Sequence, residues 1–262
     1  MKMERLKIAI IKTGNNGNGD DLLRSVYDDP ALLELCTPVV LEKKVALRDL
    51  DEGKVQALTF GPTELAECPA GAFEIIVTDK TNIMPLAKEP TVEDIVRLCD
   101  TLERDFDLRY PRIAIVCETA MQNPDLASQV TKEQGINTYG PYTVEQFFAE
   151  DMACHFDGIV ASSRELTQRI VAGLSEEAPV RYFAGREAVV TAVCQPAQKK
   201  EEEEGLADVS WLTHPIYTAI DIIRNRALYD EARQNPLPKL YRDKREDRRN
   251  EKEAAKGTEQ SE

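Results

Sequence analysis

The sequence predicts an α/β fold built on a largely parallel central sheet. Short apolar runs rich in β-branched residues recur along the chain, and stretches with helical spacing separate several of them. That alternation places helices against a parallel sheet. The run 112–117 (RIAIVC) is apolar almost throughout, as in a strand covered on both faces.

Taken in order, residues 7–11 (KIAII) form the first predicted strand. A Gly/Asn-rich turn follows over 13–19. Asp20 and Asp21 then open a helical pattern through Tyr27, acids being favoured at the positive end of a helix dipole. Asp29-Pro30 restarts a short helix to Leu35, and residues 37–41 (TPVVL), 55–60 and 73–78 (FEIIVT) read as strands. Thr91 and Asp94 make a capping pair for a helix over 91–104, with Ile95, Leu98 and Leu102 on one side. After the strand 112–117 come a helix over 143–155, a strand over 156–162 (FDGIVAS), a helix over 164–174 and a last strand over 188–194 (AVVTAVC). Residues 199–205 (KKEEEEG) are a solvated charge run. Residues 211–231 read as one long helix striped by Ile216, Ala219, Ile220 and Ile223. The expected organisation is one α/β domain over 1–238 and a charged, partly disordered tail over 239–262.

Composition bounds the chemistry. With 262 residues and 42% hydrophobic content the chain can bury a sizeable core, in one large domain or two small lobes. Its 33 Lys+Arg against 47 Asp+Glu give a net charge of -14, which argues against a nucleic-acid or anionic-membrane surface. No segment reaches the roughly 18 apolar residues of a membrane helix, and no signal-peptide core follows Met1. The six cysteines are widely spaced without CxxC. They are expected to be reduced, buried thiols in the cytoplasm. There are two histidines, so one copy of the chain cannot build a site of three imidazoles. His155 reads as a helix C-terminal residue and His214 as the first turn of the long helix.

The segment Gly14-Asn15-Asn16-Gly17-Asn18-Gly19 lies between a predicted strand and helix. Backbone N–H groups there can hold an anion. Its spacing is neither GxGxxG nor GxxxxGK[ST], and Asp20 and Asp21 place negative charge where a phosphate would sit. A polar strand-to-helix turn is the other reading. Thr78 and Lys80 follow the strand 73–78, where Lys80 offers a point charge to a phosphate or simply belongs to a polar strand-end loop.

Several segments, in order, resemble the PdxA-type 4-hydroxythreonine-4-phosphate dehydrogenases of vitamin B6 biosynthesis, in particular members of the Bacteroidetes type. They are Asp29-Pro30 with residues 33–40 (LELCTPVV), residues 111–115 (PRIAI), Gly135-Ile136 with Tyr139-Gly140-Pro141-Tyr142, Phe147-Phe148, Phe156-Asp157, residues 216–226 (IYTAIDIIRNR), and Asn235-Pro236-Leu237. The match runs from Leu6 to about Arg245. It is thinner over 43–74, where family members usually carry more chain.

The resemblance implies a two-lobed α/β/α subunit similar to isopropylmalate dehydrogenases, with a mostly parallel central sheet. It also implies a homodimer with active sites in a cleft near the interface. Family members oxidise 4-phosphooxy-L-threonine with NAD(P) and a divalent metal held by three histidines, and the β-keto acid then loses CO2. The transfer of those histidines fails residue by residue. The family's Asn-Pro-His-Ala-Gly motif falls on 119–123 and puts Met121 at the histidine. Its Tyr-His-Asp-Gln motif falls on 163–166 and puts Arg164 there, and its Asp-His-Gly-Thr motif puts Gln195 there. Of the family's N-terminal glycine loop only Gly17, Gly19 and the acid Asp21 remain. A thioether and a guanidinium do not replace imidazoles around a borderline divalent cation. Arg164 is instead expected to pair with an acid such as Glu118 or Glu165, or to bind an anion in the same cleft.

Three readings follow. The leading one is a catalytically inactive paralogue with a regulatory, structural or anion-binding role, with no metal and no cofactor, dimerising with itself or with an active paralogue. The second is an active dehydrogenase that uses NAD(P) on a phosphorylated hydroxy amino acid in pyridoxal phosphate biosynthesis. The third is an interaction module working through the acidic loop and tail.

Overall fold

The computed structural model describes residues 5–11, 26–60, 71–118, 123–149, 155–174, 178–193 and 213–235. In chain order the elements are β1 (Leu6–Ile11), α1 (Pro30–Leu35), β2 (Cys36–Leu41), α2 (Lys43–Asp51), β3 (Ala57–Phe60), β4 (Phe73–Val77) and β5 (Asn82–Pro85). There follow α3 (Val92–Asp105), β6 (Arg112–Cys117), α4 (Leu126–Gln134), β7 (Asn137–Thr143), α5 (Val144–Ala149) and β8 (Gly158–Ala161). The last are α6 (Arg164–Leu174), β9 (Val180–Ala184), β10 (Val189–Val193) and α7 (His214–Gln234).

The strands form one ten-stranded sheet in the order β2-β1-β3-β10-β9-β4-β5-β8-β6-β7. The outer ladders are parallel: β2, β1, β3 and β10 on one side, β5, β8, β6 and β7 on the other. The ladders β10–β9, β9–β4 and β4–β5 in the middle are antiparallel. The two parallel halves therefore run in opposite directions. Strands β1, β3 and β10 end at the edge where the β4–β5 hairpin turns, while β6 and β8 end at the other. This confirms the α/β fold with a mostly parallel sheet.

Alternate strand residues serve opposite faces. One face carries Ile8, Ile10, Ile75, Met84, Ile113 and Ile115, under Ile95, Leu98 and Leu102 of α3 and Ile216, Ala219 and Ile220 of α7. The opposite face divides in two. Ala9, Ile11, Leu58, Phe60 and Phe183 pack with Ala46 of α2. Ile76, Ile83, Ala114 and Val116 pack with Phe147 of α5 and with Leu166 and Ile170 of α6.

The structure adds elements that the pattern does not announce: α2, β5, α4, β7 and β9. Helix α2 fully buries only Ala46, with Val45 and Leu50 half-buried beside it, a short apolar stripe in a nine-residue helix. β7 contains Gly140 and Pro141, which normally argue against a strand, but it lies at the sheet edge where they are tolerated. Of the helix read over 143–155, the structure describes α5 (Val144–Ala149), and residues 150–154 lie outside the described residues. The helix read over 20–27 is described only at Val26 and Tyr27, which are helical; the charge run 199–205 and the boundary and tail at 238–262 lie outside the described residues. None of the described helices is long and apolar enough to cross a membrane.

The capping pair ahead of α3 is a complete reciprocal box. Thr91 Oγ1 accepts from the Asp94 N–H, and Asp94 accepts from the Thr91 N–H at 3.0 Å. Thr91→Ala is expected to cost about 1 kcal/mol, read as a lower urea midpoint at unchanged m.

Candidate functional site

The opposed halves decide which of the predicted residues can meet. Arg164 opens α6 just after β8, at the edge where β6 also ends. Thr78 and Lys80 form the β4–β5 turn at the other edge, the edge at which β1 and β10 end. Within one chain, Arg164 is thus separated by the length of the sheet from the turn holding Thr78 and Lys80. The positions Met121, Gln195, Asn15, Asn16, Gly17 and Gly19 lie outside the described residues. So do Cys68, Cys154 and Cys194. Cys36, Cys99 and Cys117 are buried thiols, and burial pushes Cys36 up to about 11, far from a reactive thiolate.

Around Arg164 the structure assembles a charged cluster. Glu74 of β4 sits between the two apolar clusters of its face, in register with Phe183, and its side chain is only 5% exposed. Arg181 of β9 donates from Nε to Glu74 Oε1 at 2.5 Å and lies over the Phe183 ring, 5.3 Å from its centroid. Arg164 faces the other carboxylate oxygen, Nη2 to Oε2 at 3.1 Å, with its own side chain 62% exposed. Oε2 is buried and receives no hydrogen bond, so this contact is an ion pair off the donor line. The expectation that Arg164 pairs with Glu118 or Glu165 is corrected: its partner is Glu74, presented by the neighbouring sheet strand. Glu118 instead accepts from Ser163 Oγ at 2.9 Å, and Ser163 in turn accepts from the Leu166 N–H in the first turn of α6. One signal for Glu74 stands in the sequence, a lone acid inside the apolar run FEIIV. Nothing there points to Arg181 as its partner.

The Thr78–Thr81 turn is tied internally. Thr78 Oγ1 donates to the Thr81 carbonyl at 2.7 Å and accepts from the Thr81 and Lys80 N–H groups. Next to it, Asn82 donates to the Asp157 carbonyl at 3.2 Å. Thr81 Oγ1 and Asn82 Oδ1 are buried without a hydrogen-bond partner. His155 is exposed, and His214 is the first residue of α7.

A second charged cluster lies on the opposite face. Asp105, 0% exposed, accepts from Tyr182 Oη, from Arg104 Nε at 2.7 Å and from Arg226 Nε at 2.8 Å. Burial raises the Asp105 carboxyl, but the hydrogen bonds from Arg226 and Arg104 outweigh it and hold the group below its ordinary value. Burial and the neighbouring Asp105 push the Tyr182 phenol far up. Every member is engaged with another, so this cluster locks α3, β9 and α7 together rather than presenting a reactive group. Asp29 and Tyr217, joined at 2.6 Å, tie α1 to α7 in the same manner.

A metal-dependent dehydrogenase site requires donors with lone pairs. Arg164 has none and keeps a permanent positive charge, and the carboxylate beside it is already shared between two guanidinium groups. Among the described residues no group of three or more His, Cys, Asp or Glu is placed to hold a metal ion. The described residues do not fit a divalent metal at Arg164.

No family model matches the chain. It is 32% identical over 174 residues to the 4-hydroxythreonine-4-phosphate dehydrogenase of Bacteroides thetaiotaomicron. That match covers 62% of this chain and 48% of the relative, so the chain spans about half the relative's length. In structure it is similar to a 4-hydroxythreonine-4-phosphate dehydrogenase from Burkholderia phymatum, with TM-score 0.57 and 13% identity over 84% of this chain and 98% of that one. It is also similar to a beta-decarboxylating dehydrogenase from Thermococcus kodakarensis, with TM-score 0.53 and 13% identity over 93% of each chain. An isocitrate dehydrogenase from Methylococcus capsulatus gives TM-score 0.55 at 11% identity, over 87% of this chain and 89% of that one. These three likenesses establish the fold.

Proposed function

We propose that this chain, a relative of the 4-hydroxythreonine-4-phosphate dehydrogenases, keeps their scaffold and has lost their metal-dependent oxidation. The observation that carries this reading is Arg164. It stands where the resemblance expects a metal-binding histidine, and its guanidinium forms an ion pair with buried Glu74 at 3.1 Å. The segments that carry the resemblance do structural work in this chain. Asp29 is held by Tyr217. Asp157 accepts from the Arg112 N–H at 2.7 Å. Asn225 and Arg226 clamp Asp105. Such a scaffold serves a regulatory or structural role, paired with a second copy or with an active paralogue.

The test is an incubation of the full chain with NAD, 4-phosphooxy-L-threonine and Mg²⁺ or Zn²⁺, followed at the NADH absorbance. The expected result is no NADH above a no-enzyme control. Metal-dependent NADH formation would instead establish an active NAD(P)-dependent dehydrogenase and sink the inactive reading.

A further inference from the structure

We infer that Arg164 is a resident cation: where the resemblance expects a metal-binding histidine it sets a fixed positive charge against buried Glu74, and so closes this face of the sheet to metal. This rests on the reading of the chain as a scaffold without metal chemistry, and it goes further by naming the residue that enforces the loss and the carboxylate it acts through.

The argument is one of charge and satisfaction. A carboxylate whose side chain is 5% exposed needs a counter-charge. Arg181 supplies one through a hydrogen bond to Oε1 and is itself fixed by Phe183. That leaves Oε2 buried with no hydrogen-bond donor. Arg164 reaches this oxygen from another element and neutralises it by charge alone. A structural salt bridge gains most of its strength from aligned, bidentate donation, which this contact lacks. What Arg164 delivers to Oε2 is positive charge, the same thing a metal ion delivers. Arg181 and Arg164 both face Glu74, so a divalent cation approaching this carboxylate meets two fixed positive charges. Glu118 stands close to the same helix start, bonded to Ser163. An imidazole at position 164 would remove the fixed positive charge from Oε2 and offer a lone pair in its place.

The test measures Zn²⁺ binding to the full-length chain by competition with a chromophoric chelator, in wild type, Arg164→Lys, Arg164→His and the double variant Arg164→His/Glu74→Gln. Wild type and Arg164→Lys are expected to leave the chelator's Zn²⁺ untouched. Arg164→His is expected to bind at least tenfold more tightly than wild type, and the added Glu74→Gln to abolish that gain. A second measurement guards against poor folding. Arg164→Ala is expected to lower the Tm of wild type and to leave the Tm of Glu74→Gln unchanged, because the arginine acts through that carboxylate. Stoichiometric Zn²⁺ in wild type, no gain in a folded Arg164→His, or equal Tm losses in both backgrounds would each overturn the inference. Metal-independent turnover by wild type would overturn the inactive reading and leave this one standing.

Discussion

Asp105→Ala is expected to lower stability by about 3–5 kcal/mol, a fall in Tm on the order of 10 °C for a chain of this size. The carboxylate is fully buried at the end of α3 and accepts from three side chains on three elements. Removing it leaves two guanidinium groups and a phenol around an uncompensated space. Arg226 also donates to the Glu187 carbonyl, so it cannot swing to solvent without a further loss. Asp105→Asn keeps the shape but not the charge and is expected to fall between wild type and alanine.

The pH dependence fixes the assignment. The folded-state pKa of Asp105 is held below its ordinary value of 3.8. Its contribution is therefore complete above that value and is lost as pH falls through the lower, folded-state one. The stability gap between wild type and Asp105→Ala should stay constant from neutrality down to about pH 5 and narrow only below. Urea unfolding at successive pH values measures this. A gap that closed near neutrality would sink the account of a charged, clamped carboxylate.

What was legible in the sequence follows from where information about each contact resides. The strand 112–117 and the capping box of Thr91 and Asp94 depend on neighbours in sequence, and both are present. The apolar stripe of α7 depends on helical periodicity and is likewise present in Ile216, Ala219 and Ile220. Strand β9 is buried at four of its five positions, with only Arg181 half-buried, so it offers no alternation to read over so short a run. The partner of Arg164 is not legible in the sequence, because the acids nearest to it along the chain or in the aligned motif, Glu165 and Glu118, are not the one it meets in the fold. Glu74 lies ninety residues earlier and meets Arg164 only because α6 begins beside the central antiparallel strands. The opposition of the two parallel halves was equally hidden. It is created by β9, β4 and β5, two of which the sequence did not reveal, and it separates Arg164 from Thr78 and Lys80.

Gly140→Ala is expected to cost about 3 kcal/mol, the sum of a backbone term and a packing term. Gly140 has φ of 99°, a conformation that strains any residue with a Cβ. It also has no room. An added Cβ would meet the Ile115 carbonyl oxygen at 2.7 Å and the Tyr142 backbone nitrogen at 3.0 Å, and backbone atoms cannot rotate aside. This is the place where the β6–β7 register shifts, between the pairs of Ala114 and Val116. The shift seats Tyr139 and Tyr142 against Phe156, with ring centroids 5.5 and 6.1 Å apart. The Tyr-Gly-Pro-Tyr segment, one of those that carry the family resemblance, is thus required here by packing. Gly53→Ala separates the two terms. Gly53 has φ of 69° but nothing within 4 Å of an added Cβ, so it should lose only the backbone part, about 1–2 kcal/mol. Urea midpoints of both variants decide the matter, and equal losses would mean that the close approach to the Ile115 carbonyl contributes nothing.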